Sequence, residues 1–135
     1  MTKTIQVAEI ISQGGRAGKA ESADGTFSVQ FTAPSENAEG LTPEHLFAAA
    51  YAACFHGALL HAAERGHFKM VGTTVVGRVA LGENERGEYG LKVELRASLP
   101  GIAEHDALHL MHQAHSTCPY SKAVRGNIDV ELTTD

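Results

Sequence analysis

From Leu46 to Leu60 the chain carries no charge and almost no polar side chain. Just before it stand Thr42, Pro43 and Glu44. They supply a hydroxyl for an N-cap, a ring preset for the first helical position, and a carboxylate for the positive end of the helix dipole. Gly66, with Arg65 and His67 beside it, offers the stop. A helix apolar on most sides is a core helix or a membrane span. A span takes about 20 apolar residues, and this uncharged run is shorter. The pattern predicts a buried helix between Thr42 and Gly66 with Cys54 near its middle.

Around that helix the period changes from helical to alternating. Ile5, Val7 and the Ile10–Ile11 pair fit a first strand, Gly14–Gly15 a turn, and Arg16 to Ser22 a polar second strand. Asp24–Gly25 is a hairpin signal, after which Phe27, Val29 and Phe31 alternate as a third strand with one buried face. Ala33 to Gly40 reads as a loop. After the helix, Thr73 to Leu81 is Val- and Thr-rich, and Leu91 to Leu95 alternates as its hairpin partner across a charged turn at Gly87. Pro100–Gly101 breaks the chain before a second helix, Ala103 to Thr117, with Ala107, Leu108, Leu110 and Met111 as its apolar stripe. Pro119 disfavours helical geometry at Cys118 and can start a short helix through Arg125. Ile128, Val130 and Leu132 make a last strand. Strands, long helix, hairpin, helix and strand in this order predict an α+β fold.

Composition narrows the function classes. The 135 residues suit one domain, and 43% apolar with 20% charged residues is ordinary globular composition. A formal charge of −5 argues against nucleic acid or an anionic membrane as the main partner. The first ten residues hold no long apolar segment of the kind a secretory signal needs, so a cytoplasmic setting is expected. Two cysteines do not make a disulfide scaffold.

The candidate chemistry centres on those cysteines. A thiol in mid-helix gets no help from a helix terminus, and apolar surroundings raise its pKa. Cys54 is therefore either an inert core thiol or a reactive one that imports a cation from elsewhere. Its neighbours one turn away, Ala50, Tyr51, Gly57 and Ala58, supply none. Arg16 after the Gly–Gly turn is one candidate; the plainer reading is a solvated charge. Cys118 stands at the start of a short helix, at the positive end of its dipole. The two thiols read as a peroxidatic and resolving pair, as unrelated thiols, or as part of a metal site. His105, His109, His112 and His115 recur every three or four residues before Cys118. That spacing suits a metal face or simply the polar side of an amphipathic helix. The histidine run has no second thiol at ligand spacing, and neither a metal nor another cofactor is expected.

Three strings carry a family resemblance: GGRAGKAESADG at Gly14, TPEHLFAAAYAACFHGAL at Thr42 and HSTCPYSKAVRGNI at His115. Together they resemble the organic hydroperoxide resistance branch of the OsmC/Ohr superfamily, in order and over nearly the whole chain. The family often has Asn where Thr42 stands and Gly where Ala50 stands. The resemblance implies a single OsmC/Ohr-like α+β domain, with antiparallel sheets around a long buried central helix, in an intertwined homodimer. It implies a peroxidase that reduces organic and fatty-acid hydroperoxides, with a lipoylated protein or dihydrolipoamide as reductant. Cys54 would be the peroxidatic thiol and Cys118 the resolving thiol, joined within one chain. Arg16 would be the activating cation and Glu44 the carboxylate that orients it. Phe47, Tyr51, Phe55 and Tyr120 are candidate apolar walls for an alkyl tail, or ordinary core.

Helix geometry adds one expectation. Glu44 and Cys54 lie ten positions apart, which is about 15 Å along a helix and roughly 80° around it. No proline or glycine between them would break the helix. A two-fold dimer would reconcile these distances and bury the remaining apolar faces. Arg16 and Glu44 of one chain are therefore expected to serve Cys54 of the other.

Overall fold

The structure, a computed structural model, describes residues 3–33 and 39–135. Most of the Ala33–Gly40 loop expected from sequence lies outside the described residues. The chain forms two compact units, Met1–Leu46 and Phe47–Asp135.

In the first unit, three short strands, β1 (Ile11–Gln13), β2 (Lys19–Glu21) and β3 (Ser28–Gln30), form an antiparallel sheet in that order. The first strand is shorter than its hydrophobic pattern suggests: Ile5 and Val7 lie outside it and are exposed. Their alternation has no described surface to pack on, and β propensity alone does not hold a strand. Arg16 is not in a strand either. Gly14 and Gly15 take positive φ of 81° and 64°, and a 3₁₀ turn, Gly15–Ala17, follows. Gly18 closes it, its amide donating to the Gly15 carbonyl at 3.0 Å. A side chain on Gly18 would run into the Gln13 carbonyl, so this close approach requires glycine. The Asp24–Gly25 hairpin forms as expected, with Gly25 at φ 75°. Hydrogen bonds from Ser22 and then Thr26 hold the Asp24 carboxyl down to about 2.

The long helix α1 (Pro43–Arg65) begins in the first unit and runs on into the second. Its first turn is tied by His45, whose Nδ1 lies 3.0 Å from both the Thr42 amide and hydroxyl. Its last turn ends in a Schellman motif: the Phe68 amide donates to Ala63 O at 2.8 Å and the His67 amide to Glu64 O at 3.1 Å. The left-handed residue there is His67, at φ 61°, one position later than the glycine stop expected at Gly66. Gly66 answers a different demand, since a Cβ there would lie 3.0 Å from the Phe68 ring.

In the second unit, β4 (Thr74–Glu83) and β5 (Tyr89–Ser98) pair antiparallel over their full length. Helix α2 (Glu104–Thr117), helix α3 (Pro119–Val124) and strand β6 (Val130–Thr134) follow. One ladder differs from the antiparallel sheets expected: β6 runs parallel to β5. The two helices between them provide the crossover that a parallel pair needs. Val93, Leu95, Ala97 and Leu99 are buried at every second position. Tyr51, Phe55, Leu59 and Ala63 of α1 and Ala107, Leu110, Met111 and Ala114 of α2 join them in one core. Leu108, expected in the α2 stripe, is 36% exposed. Against β4 the helix comes very close: a Cβ on Gly77 would sit 2.9 Å from Ala48 O.

By length and composition alone α1 also passes for a membrane span, with a mean hydropathy of 1.4 over its most apolar stretch. Tyr51, Phe55, Leu59 and Ala63 are nevertheless buried, as in a core helix. The burial expected on most sides is limited to this stripe: Ala49, Ala53, Gly57 and Leu60 are exposed.

Candidate active site

Two arrangements of the sequence-predicted residues stand out, one in each unit. In the first unit, the 3₁₀ turn presents Arg16 and the opening of α1 presents Glu44. Arg16 Nη1 donates to Glu44 Oε2 at 2.9 Å, and Nη2 donates to Oε1 at 2.7 Å. This two-bonded geometry is the strong form of an arginine–carboxylate pair. The guanidinium beside it holds the Glu44 carboxyl below its usual range, against the opposing effect of partial burial. Only 12% of the Glu44 side chain is exposed, against 49% for Arg16.

In the second unit, Cys54 and Cys118 come together from 64 positions apart, both as free thiols. The Cys118 S–H donates to Cys54 Sγ at 3.4 Å. Cys118 stands at the junction of α2 and α3, with φ −59° and ψ 123°, the extended geometry that Pro119 demands of its predecessor. It is fully buried, while Cys54 is partly exposed. Burial pushes the Cys54 thiol up, the neighbouring Cys118 adds to that, and a hydrogen bond from the Tyr120 amide pulls the other way.

The aromatic residues named from sequence divide. Tyr51 meets Phe47 at 6.1 Å between ring centroids and Tyr120 edge-on at 6.0 Å. Phe55 is fully buried with the core. A cleft of this unit, about 470 Å³, is lined instead by residues such as Ala58, Ala62, Arg65, Phe68, His109 and Leu110.

Among the described residues, no three His, Cys, Asp or Glu side chains come together as a metal site. His115 has another partner: its Nδ1 lies 2.8 Å from Ser121 Oγ, which in turn lies 2.7 Å from Tyr51 Oη. Ser121 is the one buried polar residue among those described. Sequence reasoning passed over it. The available signal was a serine three positions after a cysteine that opens a helix.

Comparisons with known proteins identify the family of the chain. Residues 35–133 match the family model for OsmC-like protein. An organic hydroperoxide resistance protein from Xanthomonas axonopodis pv. citri is 40% identical over 97% of this chain and 95% of its own. The organic hydroperoxide resistance protein OhrB of Bacillus subtilis is 40% identical over 93% of this chain and 94% of its own. The crystal structure of an organic hydroperoxide resistance protein from Legionella pneumophila superposes with a TM-score of 0.91 at 34% identity, covering 98% of this chain and 99% of that one. With full-length matches in sequence and fold alike, the chain belongs to the OsmC-like family, in its organic hydroperoxide resistance branch.

Proposed function

We propose that the protein is a cysteine-based peroxidase that reduces organic and fatty-acid hydroperoxides to alcohols. The observation that carries this reading is the meeting of Cys54 and Cys118 at 3.4 Å, in a chain whose relatives are named for organic hydroperoxide resistance. Cys54, the more accessible thiol, attacks the terminal peroxide oxygen as a thiolate. The O–O bond breaks, the alkoxide leaves and takes a proton, and Cys54 becomes a sulfenic acid. Cys118 then attacks that sulfur. An S–S bond forms, the S–O bond breaks, and the hydroxyl leaves as water with the Cys118 proton. A lipoyl-type dithiol reduces the disulfide and becomes a disulfide itself.

The first step needs a cation, because burial works against the Cys54 thiolate. Arg16 is the cation in this reading. Glu44 fixes its fork, so that it meets the thiolate and the departing alkoxide without reorganising. Ten positions of unbroken helix between Glu44 and Cys54, together with exposed Ala53, Gly57 and Leu60, support a two-fold homodimer. In it, Arg16 and Glu44 of one chain serve the partner's Cys54. Phe47, Tyr51, Phe55 and Tyr120 are proposed to form the apolar side of the substrate site. Each 135-residue chain acts as a single OsmC/Ohr-like domain in a reducing cytoplasm.

The test is steady-state consumption of cumene hydroperoxide and of hydrogen peroxide with dihydrolipoamide as reductant. The alkyl peroxide should be strongly preferred, since only it recovers burial of about 0.8 kcal/mol per methylene. Equal efficiency on both would overturn the apolar site. No turnover of either would overturn the peroxidase.

A further inference from the structure

Two side-chain contacts join α1 to the start of α3 in matched pairs. Tyr51 and Cys54 lie three positions apart on α1, and Cys118 and Ser121 three apart across the first turn of α3. Residues three apart on a helix share a face. Cys54 meets Cys118 at 3.4 Å, and Tyr51 Oη meets Ser121 Oγ at 2.7 Å. The hydroxyl contact thus lies one helical step from the sulfur contact. From Ser121 it continues to His115 Nδ1 on α2 at 2.8 Å. Tyr51 and Ser121 are fully buried, while His115 reaches partly into solvent. The His115 backbone is held too, its carbonyl accepting from Arg125 Nη2 at 2.7 Å.

We propose that Tyr51, Ser121 and His115 form a proton-ordered clamp that holds the first turn of α3 on α1, keeping Cys118 within reach of an oxidised Cys54. These are positioning residues for disulfide formation, a role that rests on the dithiol reading above. Ser121 has a single proton, which fixes the logic of the chain. When His115 accepts at Nδ1, Tyr51 donates to Ser121, Ser121 donates to His115, and every proton is used. When His115 is protonated, Nδ1 becomes a donor, and three donors face one another with too few acceptors. Ser121 then either accepts from both His115 and Tyr51, leaving its own proton without an acceptor in the chain, or donates to Tyr51, leaving the Tyr51 proton without one. An unused donor at a fully buried site is costly.

The surroundings favour the neutral ring, the form that can accept at Nδ1. Burial chiefly, then the charges of Arg125 and of His112 on α2, hold His115 below the usual histidine range. On the far side, burial raises the Tyr51 phenol, and the thiols of Cys118 and Cys54 are close enough to oppose its ionisation as well. Tyr51 therefore stays a neutral donor.

The experiment follows the fate of Cys54 after a single oxidation by cumene hydroperoxide, with no reductant present. Mass spectrometry of the intact protein reads the partition between the Cys54–Cys118 disulfide and overoxidised sulfinic Cys54 as peroxide is raised. Stopped-flow peroxide consumption reads the first step. Ser121→Ala should shift the partition toward sulfinic acid by roughly five- to tenfold, the scale of one lost buried hydrogen bond, and by more than it changes the first step. In the wild type the same shift should appear as pH falls through the His115 range. His115→Asn, which keeps an acceptor near the Nδ1 position but cannot be protonated, should flatten that part of the profile. This second variant alters a partly exposed site and tests the clamp should Ser121→Ala fold poorly. A partition unchanged in Ser121→Ala, or a pH profile unchanged in His115→Asn, would overturn the clamp while leaving the dithiol reading intact. A wild type that forms no disulfide would overturn both.

Discussion

Arg16 and Glu44 face each other fork to fork, with both guanidinium Nη atoms on both carboxylate oxygens at 2.9 and 2.7 Å. A 3₁₀ turn and a helix start, 28 residues apart, hold that geometry. A lysine in place of Arg16 keeps the charge but loses the fork. Arg16→Lys is expected to lower kcat/KM for cumene hydroperoxide by roughly a hundredfold, the scale of losing one preorganised group at a developing charge. A Lys variant within a fewfold of wild type would show that charge alone suffices.

The proposed service of Cys54 by Arg16 gives the pH profile a definite sign. Cys54 is raised by burial and by Cys118, so without its cation the thiolate fraction should climb about tenfold per pH unit across the neutral range. Arg16→Ala should show that slope in the rate of the first step, while the wild type should be flatter. On the acid side, Glu44 is lowered in the folded chain by Arg16. Its pairing is complete above the ordinary carboxylate value of 4.5 and is lost as pH falls through the lower folded value. Stopped-flow rates from pH 4 to 9 on both proteins check both limbs.

The thiols should fail differently. Cys54→Ser is expected to abolish even a single peroxide reduction. Cys118→Ser should complete one turnover and then stall or overoxidise, because nothing condenses with the sulfenic acid. If both variants lose the single-turnover step equally, the roles of the two thiols are wrong.

Sharing of the site between chains is tested by complementation. Cys54→Ser, inactive alone, and Arg16→Ala, strongly impaired alone, are unfolded and refolded together. A shared site gives mixed dimers with one intact centre each, uniting Cys54 from one chain with Arg16 from the other. Mixed dimers that form but stay inactive would show that each chain builds its own centre.

Gly77 tests how closely α1 is seated on its sheet. A methyl there would stand 2.9 Å from Ala48 O and 3.1 Å from Ala52 Cβ, contacts that only movement of the helix relieves. Gly77→Ala is expected to cost about 1–3 kcal/mol in chemical denaturation, the range for overpacking a close contact. A midpoint unchanged from wild type would mean the helix lifts at no cost.

What the sequence made legible follows from how local each signal is. Pro43, Pro119 and the Asp24–Gly25 pair act on their own backbone, so the starts of α1 and α3 and the first hairpin were readable. The Schellman stop was misplaced by one residue because His67 takes the left-handed position, while Gly66 makes room for the Phe68 ring. Ile5 and Val7 alternate like a strand, but a strand needs a neighbour, which alternation alone does not report. The nearness of Cys54 to Cys118 is a tertiary fact, available beforehand only through family resemblance. Ser121 carried only a weak local signal for the same reason, since its partner is a tyrosine 70 positions away.

The parallel pairing of β6 with β5 has a consequence for how the protein matures. Val93 pairs with Val130 and Ala97 with Thr134, and the segment between the two strands, including α2, Cys118 and α3, is the connection. Closing so long a connection is an entropically expensive, non-local step in folding. Strand β6 is thus the latch on the segment that carries Cys118. During synthesis, Cys54 emerges long before that latch exists. A nascent or carboxy-terminally clipped chain would expose a thiol with no partner held beside it, open to stray oxidation. The protected redox cycle proposed above thus depends on β6 being in place.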